Sequence, residues 1–83
     1  MGNLSDLTLV LQVWVKATVV STHDPSKHRK DSFGSWIAFD EYGKTTQYGW
    51  EIDHITPVAK GGSDHVYNLQ PLHWQNNRAK SDR

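Results

Sequence analysis

Eighty-three residues with four Trp, three Tyr, two Phe and no Cys, and with nine acidic against nine basic side chains, define one small domain of zero formal charge. The missing Cys excludes disulfides, Cys-ligated zinc and thiol catalysis together, and it fits a reducing, cytoplasmic setting. No apolar run approaches the roughly 18 residues a membrane span needs, and the even charge balance, five acids and five bases through Trp50 and four of each after it, excludes a grip on nucleic acid by bulk electrostatics.

A chain of this size buries only about 60% of its unfolded surface, so the aromatic side chains must supply much of the core. From Leu7 to Val19 every odd position is apolar, and with the Val and Thr content this period of two predicts a strand, bent or split. A helical spacing through Leu7, Val10, Leu11, Trp14 and Val15 stays open. Gln12 and Lys16 interrupt the stretch and no basic segment precedes it, which argues against a signal peptide. Residues 21–32 are polar, with Asp24-Pro25 favouring a turn and then one helical turn. A short strand is expected over 35–39.

Residues 50–55 read as a strand stopped by Pro57, and 60–64 as a loop. A second strand is expected over 68–72, where Pro71 demands an edge or a strand end. Residues 73–80 lack Gly and Pro and predict a final helix. The order is strand, long loop, strand, helix. The whole is one α+β domain over 1–83, with a chemical core at about 48–82 and an N-terminal strand region at about 7–40.

That core carries Asp53-His54, thirteen residues, Asn68, eight residues, and Asn77, with Arg78 and Lys80 behind. Phosphodiester hydrolysis needs a water, a base to take its proton and positive charge at the departing oxygen. His54 is the natural base, since its ordinary pKa near 6.5 lies close to working pH. Asp53 is a hard oxygen ligand. Neighbours on a strand face opposite ways, so the two can share a site only where the strand ends. Asn77 offers a second ligand oxygen, and Asn68 could hold His54 in the useful tautomer. One carboxylate, one amide oxygen and several waters suit Mg²⁺ better than Zn²⁺. His73 lies four residues before Asn77 and could touch metal or phosphate.

Lys60, Arg78 and Lys80 are candidate phosphate contacts. Lys27, Arg29 and Lys30 form one basic cluster, and Arg78, Lys80 and Arg83 form another. Binding through such clusters alone would be weak and salt-dependent, or would need a partner.

The run Glu51-Ile52-Asp53-His54-Ile55-Thr56-Pro57, then Gly61-Gly62-Ser63-Asp64, Asn68-Leu69-Gln70, Leu72 and Asn77-Arg78-Ala79-Lys80-Ser81-Asp82 resembles the HNH endonucleases. The resemblance implies a ββα-metal finger, here an H-N-N variant, that cleaves DNA with one divalent metal, Mg²⁺ with Mn²⁺ or Ni²⁺ as substitutes. It implies His54 as general base, Asp53 and Asn77 as metal ligands, and Asn68 as the residue that orients His54 or its strand. Many members of that family add a structural zinc held by two Cys-x-x-Cys pairs. His73 and Asn76 stand where the second pair would be, so packing by Trp50, Trp74, Ile52, Ile55 and Leu72 must replace that staple. The rival readings are a nucleic-acid-binding module that does not cut, and a domain that recruits protein partners through its aromatic surface.

Overall fold

The computed structural model describes residues 6–81; Asp82 and Arg83, the end of the motif and of the second basic cluster, lie outside the described residues. Along the chain run α1 (Leu7–Trp14), β1 (His28–Lys30), β2 (Trp36–Ala38), β3 (Trp50–His54), β4 (Leu69–His73) and α2 (Trp74–Ser81). Single 3-10 turns lie at Phe39–Glu41, Val58–Lys60 and Val66–Asn68. The strands pair as two antiparallel two-stranded sheets, β1 with β2 and β3 with β4. The α+β class holds. The strand expected over 35–39 is β2, but the strand expected over 7–19 is a helix at Leu7–Trp14.

Residues 7–14 are a helix because the buried positions are Val10, Val13, Trp14 and, just past the helix, Ala17, which recur at helical spacing. The odd-numbered apolar series misleads because four of its members, Leu7, Leu11, Val15 and Val19, are the exposed ones. The Asp6 carboxylate caps the first turn by accepting the Thr8 N–H at 2.8 Å. At the other end the Lys16 ammonium donates to the carbonyls of Val66 (2.8 Å) and Leu69, fastening the helix to the entry of β4. Partial burial lowers the pKa of that amine.

Two indoles form the centre of the core. Trp14 and Trp50 pack with ring centroids 5.4 Å apart, flanked by Phe39 and Tyr42, and Ile37, Ile52 and Leu69 close the space around them. Each buried N–H finds a carbonyl: Trp14 donates to Pro25 at 3.0 Å and Trp50 to Ala38 at 2.9 Å. Leu72 is also fully buried, but Ile55 is 46% exposed and Trp74 only half-buried. The last two therefore contribute less packing than the sequence suggests.

What ties the two sheets together is a carboxylate. Asp31, 2% exposed, sits in the turn between β1 and β2. Its Oδ1 accepts the N–H groups of Phe33 (3.0 Å) and Ser35 (2.8 Å). Its Oδ2 accepts the His73 N–H and the Asn76 Nδ2, both at 2.9 Å, at the junction of β4 and α2. Asn76 also donates to the Ser35 hydroxyl at 2.9 Å.

Truncating Asp31 leaves several buried donors without an acceptor, each costing about 1–3 kcal/mol. Asp31→Ala is expected to lose about 3 kcal/mol or more of stability. For a domain of this size that is a fall of roughly 12 °C or more in Tm, read by thermal unfolding followed by circular dichroism.

Candidate active site

β3 ends at His54, and the chain leaves through Ile55-Thr56-Pro57, so Asp53 and His54 stand at the end of the strand. Asp53 and His54 both line an open cleft of about 860 Å³, with Ile52, the turn Pro57–Lys60, and Asn77 and Lys80 from α2. The structure thus brings Asp53, His54, Lys60, Asn77 and Lys80 to one place. It does not bring Arg78, His73 or His65 there.

Asp53 is 9% exposed and carries two hydrogen bonds on Oδ2, from the Lys80 ammonium at 2.6 Å and the Gln70 amide at 2.9 Å. Gln70 is the cross-strand partner of Asp53 in the β3–β4 register, which puts both side chains on one face of the sheet. The Lys80 Nζ also donates to the carbonyls of His54 (2.6 Å) and Ile55 (3.3 Å). Three oxygens therefore already gather around one cationic group. Asn77 turns its amide nitrogen to Glu51 Oε1 at 2.9 Å, which directs its oxygen away from that carboxylate.

Asn68 is buried and its carboxamide acts on the loop. Its Oδ1 accepts the Thr56 N–H at 3.0 Å, and its Nδ2 donates to the carbonyls of Thr56 (3.1 Å) and Ser63 (2.7 Å). The Asn68 carbonyl also accepts the Ile55 N–H at 2.7 Å. Asn68 therefore binds the exit of β3 to the Gly-Gly loop and does not bond the His54 ring. The ring partner is Asp64, whose Oδ1 lies 2.6 Å from His54 Nε2. Sequence reasoning left Asp64 in a loop, because nothing in the chain signals that residues 61–64 fold back over the end of β3.

His73 is 7% exposed and structural. Its Nε2 donates to the Gln47 carbonyl at 2.8 Å and its Nδ1 accepts the Gln75 N–H at 3.1 Å, capping the first turn of α2. Both ring nitrogens are engaged within the chain, and His73 does not line the cleft. Arg78 lies 3.3 Å from Glu51 and over the Trp74 ring, off the cleft. In the other basic cluster, Arg29 is held by the carbonyls of Pro25, Val15 and Ala17. The exposed His65 ring packs on Tyr67.

A model of the HNH endonuclease family matches residues 39–83, which is 45 of the 83 residues. The chain belongs to the HNH endonuclease family. No curated protein sequence and no solved structure matches it. The matched span contains β3, the loop, β4, α2 and the whole cleft.

HNH domains usually use a divalent metal, and the donors of this cleft can be weighed against one. Among the described residues no group of three or more His, Cys, Asp and Glu side chains is placed to hold an ion. A dehydrated zinc site is therefore not provided. One carboxylate and one carboxamide on the same cleft, with a cation already seated on Asp53, fit a hard ion that keeps most of its water.

The loop that supplies Asp64 depends on Gly62. A Cβ there would lie 1.8 Å from the Thr56 carbonyl oxygen and 2.9 Å from Asn68 Nδ2. Gly62→Ala must push the loop off Asn68, so it is expected to cost about 1–3 kcal/mol. In amide exchange it should deprotect Thr56 more than the amides of α1.

Proposed function

We propose that the protein is a metal-dependent endonuclease that hydrolyses DNA phosphodiester bonds, with β3, β4 and α2 forming a ββα-metal finger. One observation carries this reading: Asp53 and His54 from a strand end, Lys60 from a turn, and Asn77 and Lys80 from a helix line the same cleft. A binding surface without chemistry has no need of an imidazole beside a nearly buried carboxylate.

In the proposed reaction His54 takes a proton from a water as that water's oxygen bonds to phosphorus. The bond from phosphorus to the 3′ oxygen breaks, and that oxygen takes up a proton from solvent. Asp53 and Asn77 would hold the divalent ion, Mg²⁺ by the chemistry of its donors, and the ion supplies positive charge for the phosphoryl oxygens and the departing 3′ oxygen. Lys60 and Lys80 hold phosphate; for Lys80 this means releasing Asp53. Asn68 braces the end of β3. One base and one ion cut one strand at a time, so nicking is the expected product. With zero net charge, selectivity for a target rests on local contacts or on a protein partner.

The Lys80–Asp53 pair favours a second reading, a nucleic-acid-binding HNH domain that does not cut, because the ammonium already neutralises the first ligand. Supercoiled-plasmid nicking in Mg²⁺ or Mn²⁺ separates the two. Relaxed circles that need metal, vanish with EDTA and form about 10²- to 10⁴-fold more slowly in His54→Ala support the nuclease. Equal rates in wild type and His54→Ala exclude His54 as the base. Retention of DNA without metal-dependent nicking selects the binding module.

A further inference from the structure

The geometry points to Asp64 as a positioning residue for His54: its carboxylate holds the imidazole in the Nε2–H tautomer, so that Nδ1 carries the lone pair that acts as base. The inference rests on the nuclease reading and adds a third member to the His54 site, from a part of the loop with no assigned role.

Hydrogen-bond chemistry decides the tautomer. Asp64 Oδ1 lies 2.6 Å from His54 Nε2, at the short end for a bond between a nitrogen and a carboxylate. An ionised carboxylate can only accept, so on a neutral ring the proton must be on Nε2. Nδ1 is then the basic nitrogen, on a ring that lines the cleft beside Asp53. Without this bond the neutral ring would divide between two tautomers, and only one leaves a lone pair where the base is needed. The ring would also be freer to turn about its side-chain torsions. Holding a base by a second acceptor is the general logic of an oriented imidazole.

The loop is built to deliver this carboxylate. Gly61 adopts φ +90°, a left-handed conformation that side chains resist. Gly62 then passes so near the Thr56 carbonyl that no side chain fits, and its N–H bonds the Pro57 carbonyl at 3.0 Å. Asn68 holds the next carbonyl, that of Ser63, at 2.7 Å. The Ser63 hydroxyl accepts the His65 N–H at 3.2 Å. Asp64 is therefore bracketed on both sides by bonds that do not involve its own side chain. Asn68 bears on His54 through this bracket: it sets the loop, the loop sets Asp64, and Asp64 sets the ring. The Asp64 side chain is 41% exposed, so its truncation is expected to cost the fold little.

The test uses the full chain labelled with ¹⁵N, with Asp64→Ala and Asp64→Glu. Long-range proton–nitrogen correlation of the His54 ring in metal-free protein at alkaline pH reads the tautomer directly. Wild type should show protonated Nε2 and bare Nδ1, Asp64→Ala a mixture, and Asp64→Glu a partial return. On plasmid, Asp64→Ala should lower kcat by roughly 10- to 100-fold, the scale seen when a partner that orients a functional His is lost. KM should stay within about twofold, since Asp64 does not line the cleft, and Asp64→Glu should recover part of the rate. An unchanged tautomer in Asp64→Ala overturns the inference, as does a changed tautomer with an unchanged kcat. If wild type does not nick at all, the nuclease reading fails and the catalytic role fails with it, while the ring spectrum still decides whether Asp64 holds His54.

Discussion

Everything in the cleft hangs from the placement of α2 against β3, and that placement depends on the buried carboxylate of Asp31. A carboxylate is costly to bury unless its lone pairs are filled. Here four donors fill them, two from its own turn, one from the end of β4 and one from the first turn of α2. The direction of this bonding matters. Asp31 fixes the backbone of His73 and the side chain of Asn76, so the first turn of the helix is anchored at two points. The His73 ring anchors it at a third by joining Gln47 to Gln75. Asn77 and Lys80 follow within two turns, and a rotation of the helix would remove both from the cleft together.

Positions 73 and 76 are where a zinc-braced relative would place a cysteine pair. In this chain the same two positions meet Asp31 and Ser35, so a hydrogen-bonded hub joins the start of α2 to the turn between β1 and β2. The exchange has a physical consequence. A zinc staple contributes binding energy that depends on metal supply and on deprotonated ligands. The carboxylate hub does not depend on metal supply, but it needs exclusion of water. The Trp14–Trp50 core provides this exclusion near the sheets, with Trp50 fully buried.

The chemical core was legible because its elements carry strong local signals. Pro57 ends β3, two glycines mark the loop, and the absence of Gly and Pro after position 73 marks α2; each boundary falls within a residue or two of expectation. The N-terminal segment was not legible, since Leu7–Val19 satisfies both periods and only the burial of Val10, Val13 and Trp14 chooses the helix. The partners of the site residues were illegible for a different reason. Gln70 meets Asp53 only through the strand register, Asp64 meets His54 only because a fourteen-residue connection between β3 and β4 folds back, and Asp31 meets His73 across 42 residues. Spacing can name the candidate groups for chemistry. It cannot name the groups that aim them, because those are chosen by tertiary contact.

The Lys80 ammonium links the fold to the chemistry of the cleft. Three oxygens, one of them ionised, hold it against the end of β3, and its side chain is only 23% exposed. The same oxygens make the cleft attractive to any cation, so an arriving ion and Lys80 compete for Asp53. A phosphate in the cleft changes the balance, because it offers the displaced ammonium a new anion within reach of the same flexible stem. Ion and phosphate would then each favour the other's binding, one by releasing Lys80 and the other by accepting it. On the proposed function, this local exchange would give a domain of zero net charge a selectivity for a phosphodiester that bulk attraction does not provide.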